Sequence, residues 1–242
     1  MRMSIRMYVV FQDLYNLFCN NFYNKISYKL RKGWGRFNFE GTMYTDDKPI
    51  QFLKHLEPSK YLVVIFLGGN NSTSIPILHY ARKASLSIGC DVLSLRYPGK
   101  LNFKDNEIYD AIVEACFNII SKVNYEAYEK IVFISKSIGN LIAIDVERKH
   151  LGISLTHVFY TPVERLVEKV HSQECLIFTG ANDKHIKCES VELMKGFRNT
   201  EVHQFPKAVH SLEVNEDVDE SLKILKRATE ILLKYLEKTL NK

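Results

Sequence analysis

Three short stretches of the chain carry side chains that could together do acyl chemistry. Ser137 stands in Ser135-Lys136-Ser137-Ile138-Gly139, directly after the apolar run Lys130 to Ile134. A serine hydroxyl is a poor nucleophile at neutral pH. It needs a base beside it, and the base needs an acid that fixes its tautomer. A carboxylate is available at Asp183, in Gly180-Ala181-Asn182-Asp183-Lys184, and an imidazole at His210, in Ala208-Val209-His210-Ser211. Each follows a strand-like run, and the chain order is Ser137, Asp183, His210. Such a set attacks an acyl carbonyl and passes through a covalent acyl-enzyme.

A nucleophile mounted between a strand and a helix needs a sharp turn that lifts its side chain above the sheet. Small residues two before and two after the serine let that turn close, usually as G-x-S-x-G. Here Gly139 keeps the second glycine and Ser135 replaces the first. The competing reading of Ser137 is an N-cap of the helix that follows, a frequent place for serine.

Those residues need a frame. Tyr61 to Leu67 (YLVVIFL) is a continuous apolar run that stops at Gly68-Gly69-Asn70-Asn71. Further strands are expected at Asp91 to Tyr97, Lys130 to Ile134, Leu155 to Tyr160, Glu174 to Phe178 and Glu201 to Phe205. Helical spacing separates them at Ile75 to Ser85, Asn106 to Val123 and Gly139 to Lys149, and Val218 to Leu240 closes the chain. Apolar strands alternating with helices give an α/β fold: a mostly parallel central sheet with helices on both faces. In such sheets the chemistry sits beyond the carboxyl ends of the strands. A chain of 242 residues makes one large domain or two small ones, and the pattern favours one, over residues 33–242. Gly33 to Met43 is expected to add one or two edge strands.

The motifs SKSIG, GAND and AVHS, in that order and strand context, resemble those of the α/β-hydrolase superfamily over roughly Tyr61 to Lys238. The resemblance implies Ser137 as nucleophile, His210 as general base and then acid, and Asp183 as the group that orients it. It also implies an oxyanion hole of two backbone N–H groups. One is that of Ile138, the residue after the nucleophile. The other comes from the loop after the first long strand, where relatives often carry His-Gly and this chain has Gly68-Gly69; the donor is Asn70 or Gly69. Many members insert a lid after the strand that here ends at Tyr160. This chain reaches its next strand at Glu174 through a short stretch, so no cap domain is expected. An open site suits a small-molecule acyl ester or thioester. A serine peptidase or acyltransferase on the same scaffold is the alternative, as is a non-catalytic relative that only binds. No cofactor is called for.

Other residues compete for roles. Glu164 follows the preceding strand, where some relatives place their acid. Lys136, beside the nucleophile, either favours an acidic substrate or is a solvated side chain. His185 falls inside the acid loop at the start of a helix, and Asn182 shapes the turn. His203 lies within a strand pattern. His55, His79, His150, His157 and His171 read as surface or satisfied core residues. Gly68 to Thr73 resembles an anion-binding loop but meets neither nucleotide fingerprint. No His, Cys and acidic residues have zinc spacing, so no metal is expected.

Residues 1–32 stand apart. Tyr8, Phe11, Tyr15, Phe18 and Phe22 recur at steps of three and four, with Lys25, Lys29, Arg31 and Lys32 behind them. This predicts an amphipathic helical extension packed on the domain. A peripheral membrane contact, a dimer contact or a flap over the site are its other uses. Arg2 and Arg6 precede a short apolar run, but Gln12 and Asp13 break it before it reaches the length of an export signal. Lys and Arg number 33 against 28 acidic residues, a net +5 that is too small and too scattered for a nucleic-acid binder. Five cysteines, an odd count without a C-x-x-C pair, argue for reduced thiols and a cytoplasmic protein.

Overall fold

The structure is a computed structural model, and it describes residues 50–55, 58–69, 75–95, 103–149, 155–170 and 174–240. The amphipathic stretch within residues 1–32 and the strands expected at Gly33 to Met43 lie outside these residues, as do Asn70, His150 and His171.

Seven strands form one sheet: β1 (Ile50–Leu53), β2 (Tyr61–Phe66), β3 (Asp91–Leu95), β4 (Lys130–Lys136), β5 (Leu155–Tyr160), β6 (Cys175–Gly180) and β7 (Thr200–Phe205). Their order across the sheet is β1-β3-β2-β4-β5-β6-β7. All neighbours run parallel except β1, which pairs antiparallel with β3, Phe52 opposite Leu93. The helices are α1 (Pro76–Ser87), α2 (Asn106–Lys122), α3 (Ile138–Glu147), the single turn α4 (Val167–Val170), α5 (Cys188–Lys195) and α6 (Val218–Leu240).

The strand order fixes where the helices lie. The chain steps from β2 outward to β3, then back across β2 to β4, and continues in that direction to β7. Right-handed crossovers then put α1 on one face and α2 to α5 on the other. The closing α6 returns to pack on α1. With both faces covered, the central strands are buried along their whole length, which is why Leu62 to Leu67 is apolar without alternation. The last strand, β7, is an edge; Glu201 is exposed there and Gln204 half-buried.

The expected strands and helices within the described residues are present, with ends shifted by a few residues. Four short elements were not expected, among them the 3-10 turn Tyr125–Ala127. The antiparallel β1 is only four residues long, too short for a periodicity to register. Between β5 and β6 the described residues hold one 3-10 turn, Glu164–Leu166, and α4. Among the described residues no lid domain is inserted there.

Candidate active site

The site is assembled by two close backbone contacts. A Cβ on Gly139 would lie 2.3 Å from the Leu67 carbonyl oxygen, so only glycine lets α3 start against the end of β2. A Cβ on Gly180 would lie 2.1 Å from the Ala208 carbonyl oxygen. The end of β6 thus touches the loop that carries His210. Ala181 and Asn182 donate their N–H groups to the Phe205 and Ala208 carbonyls, both at 2.9 Å. The Asn182 amide reaches the Lys207 carbonyl, 3.2 Å away. Acid loop and histidine loop are therefore bound main chain to main chain.

Ser137 occupies the turn between β4 and α3 with φ 56° and ψ −124°, far from ordinary values for a residue with a side chain. Its N–H donates to the Tyr160 carbonyl at 3.0 Å. Ser137 does stand at the N-cap position of α3, but its side chain makes no capping bond. Instead Oγ lies 2.9 Å from His210 Nε2. On the far side of the ring, His210 Nδ1 lies 2.8 Å from Asp183 Oδ2. The Asp183 side chain has no exposed surface. Burial pushes its carboxyl up, but the bonds from His210 and from the His185 main chain outweigh this and hold it below the usual value. With Asp183 ionised, Nδ1 carries the imidazole proton and Nε2 is free to accept the Ser137 proton.

Ile138 opens α3, where the first N–H groups of a helix have no acceptor within it. Gly69 follows β2, with the Phe103 ring 3.8 Å from where its Cβ would be. Beside His210 an open groove of about 900 Å³ runs between the start of α1 and the start of α6, past Ile75, Pro76, Val209, Val214 and Leu222.

Lys136 is not a solvated side chain. It is buried, and its Nζ donates to Thr161 Oγ1 and to the His210 carbonyl, both at 3.0 Å. Burial pushes its pKa down to about 8, against the opposing pull of Asp183 and Glu213. Glu164 is committed elsewhere: its two oxygens accept from the Lys187 N–H at 2.8 Å and the Ser190 hydroxyl at 2.6 Å, at the start of α5. His157 is a buried core residue whose Nε2 lies 3.0 Å from Glu147 Oε2, while its buried Nδ1 has no hydrogen-bond partner, so the expectation of a satisfied histidine is met at one nitrogen only. His203 pairs with Glu201 on the edge strand.

Sequence reasoning passed over His185. Its N–H donates to Asp183 Oδ1 at 2.9 Å, its Nδ1 is 3.3 Å from the same oxygen, and its ring packs on that of His210 with centroids 4.0 Å apart. The readable signal was the spacing, since an aspartate often binds the N–H two residues on. Asp183, His185 and His210 each offer a donor atom within 4.8 Å of the others, a set able to hold a metal ion although no zinc spacing connects them in the sequence.

No protein-family model and no curated protein matches the sequence. Solved structures do match. Est1E from Butyrivibrio proteoclasticus, with ferulic acid bound, superposes with a TM-score of 0.62 at 13% identity, over 80% of this chain and 95% of that one. The esterase Pf2001 of Pyrococcus furiosus gives 0.59 at 16% identity, over 88% and 93%. A serine hydrolase without a lid from Xanthomonas campestris gives 0.56 at 12% identity, over 79% and 89%. This chain has the α/β-hydrolase fold, and among the described residues no lid is inserted after β5.

Proposed function

We propose that the protein is a serine hydrolase that cleaves a carboxylic ester or thioester through an acyl-enzyme on Ser137. The observation that carries this reading is the unbroken chain from Ser137 Oγ through both nitrogens of His210 to buried Asp183, at 2.9 and 2.8 Å. The Ser137 hydroxyl attacks the acyl carbonyl while His210 Nε2 takes its proton. The negative charge that develops on the carbonyl oxygen falls to the N–H of Ile138 and that of Asn70 or Gly69. His210 then gives its proton to the departing alkoxide or thiolate. In the second half, water loses a proton to His210, attacks the acyl-enzyme and releases the acid. Asp183 stays ionised and stabilises the imidazolium in both halves. Two structural neighbours are esterases by name, and the one that holds ferulic acid makes aryl esters sensible probes beside short acetates.

A fluorophosphonate probe tests the nucleophile, and p-nitrophenyl acetate in the absence of any acyl acceptor tests hydrolysis. Wild-type protein should label and turn over. Ser137→Ala should not label, and its kcat should fall at least ~10³-fold. Equal labelling of both would remove Ser137 from the role. An unlabelled wild type would leave a fold used only for binding.

A further inference from the structure

We propose that Asp183, His185 and His210 form a binding site for zinc ion, and that filling it switches off Ser137. The inhibitory consequence rests on the reading of His210 as the base; the binding itself does not.

The reaction proposed above leaves His185 without a task, yet its placement is specific. Its Nδ1 faces Asp183 Oδ1 at 3.3 Å, while His210 Nδ1 faces the other oxygen at 2.8 Å. The two rings overlap at 4.0 Å with 37° between their planes, so both imidazoles address one carboxylate from the same side. Zinc takes nitrogen and carboxylate donors at about 2.0–2.2 Å in a tetrahedron, which spaces the donors roughly 3.3–3.5 Å apart. The donor atoms here already lie within 4.8 Å of one another, so rotations of the two rings bring them to that spacing. Burial is graded across the set. Asp183 has no exposed surface, His210 is partly covered, and His185 is 59% exposed. The ion therefore has a way in from the His185 side and keeps room for water as a fourth ligand. The cation that opposes it, Lys136, is held on the His210 carbonyl and on Thr161 and donates to neither Asp183 oxygen; Oδ1 keeps the His185 N–H, and the metal takes the place of the His210 Nδ1 proton at Oδ2.

Inhibition follows from proton balance on one ring. Neutral His210 has a single ring proton, which Asp183 keeps on Nδ1. Metal on Nδ1 displaces that proton to Nε2, with no net release. Nε2 then donates to Ser137 Oγ and cannot accept from it. The hydroxyl keeps its proton and the nucleophile is not activated. No covalent bond changes, so a chelator reverses the effect.

The test titrates full-length protein with zinc against a chromophoric chelator, a readout independent of activity, and follows the rate of fluorophosphonate labelling with and without zinc. Wild type and Ser137→Ala should each bind one ion that His185→Gln loses or holds at least about tenfold more weakly, one ligand being gone. His203→Gln, on the edge strand, should bind like wild type. Zinc should slow labelling of wild type far more than that of His185→Gln. Wild-type binding no tighter than millimolar, or equal binding by His185→Gln, would overturn the site. Binding that depends on His185 but leaves labelling unaffected would overturn the inhibition. A wild type that binds zinc but never labels keeps the metal site while the hydrolase reading falls.

Discussion

A lysine ammonium buried next to Ser137 in the chain carries a desolvation cost that a methionine would not. Lys136 accepts it and spends two donors on Thr161 and on the main-chain carbonyl of His210. Its role in the proposed reaction is therefore to position the histidine loop. Replacing Lys136 by methionine removes the desolvation cost of a buried charge but leaves the Thr161 hydroxyl and the His210 carbonyl without their donor. The two effects oppose, so Lys136→Met should stay within about 1–3 kcal/mol of wild type in urea at pH 7. Its kcat on p-nitrophenyl acetate should fall about tenfold because His210 loses its tie, with KM little changed. The pH dependence has a definite sign. The folded-state pKa, about 8, lies below the ordinary 10.5. Between these values the unfolded chain binds more protons than the folded one. Wild-type stability must then rise relative to Lys136→Met from about pH 8 to 10.5 and stay level below. Buried thiols and phenols act the other way in both proteins and cancel in the difference. A variant destabilised beyond that range at pH 7, with unchanged kcat, would refute this.

At the scale of elements, the site depends on how closely two strand ends approach their neighbours. Gly139 sets α3 on the end of β2, and Gly180 sets the end of β6 on the loop of His210. Gly180→Ala places a methyl against the backbone carbonyl of Ala208, where no side chain can yield. It should cost about 1–3 kcal/mol of stability, measured in urea. The same displacement should lower the fluorophosphonate labelling rate, because Asp183 and His210 move apart. Full labelling in a destabilised protein would show that the two loops keep their register independently. The sharp turn at Ser137 and the positions of the parallel strands along the chain were legible because continuous apolar runs and small residues at fixed offsets report directly on a buried parallel sheet; their order across the sheet was not. The spacings of Ser137, Asp183 and His210 also placed them at strand ends, where the structure brings them together. Other features carried no such signal. The burial of Lys136 depends on which groups surround its ammonium, and a sequence does not show that Thr161 and the His210 carbonyl converge on it. His185 meets Asp183 through a local turn and His210 through a long-range one, so only half of its setting was readable. The edge strand Ile50–Leu53 is too short to announce itself.

The whole molecule is tied together by strands that feed two cores at once. Along β5, Val158 and Tyr160 enter the larger cluster while Phe159 enters the smaller. Along β6, Leu176 and Phe178 enter the larger while Cys175 and Ile177 enter the smaller. Neither cluster can lose its packing without exposing the back of the other, so the described residues should unfold as one unit. The thiols report on this directly. Cys90 and Cys116 belong to the larger cluster and Cys175 to the smaller, and all three are buried, whereas Cys188 is exposed at the start of α5. Burial pushes Cys90 and Cys175 up to about 12 and Cys116 up as well, so none of these three supplies a thiolate in the folded state at pH 8. Iodoacetamide should therefore alkylate Cys188 in the native protein and leave Cys90, Cys116 and Cys175 unreacted. In a urea series read by mass spectrometry, Cys90, Cys116 and Cys175 should become reactive with a single shared midpoint. A lower midpoint for Cys175 would mean that the layer of α3 and α5 opens first, and that the side of the sheet holding Ile186 and the acid loop is a separate folding unit.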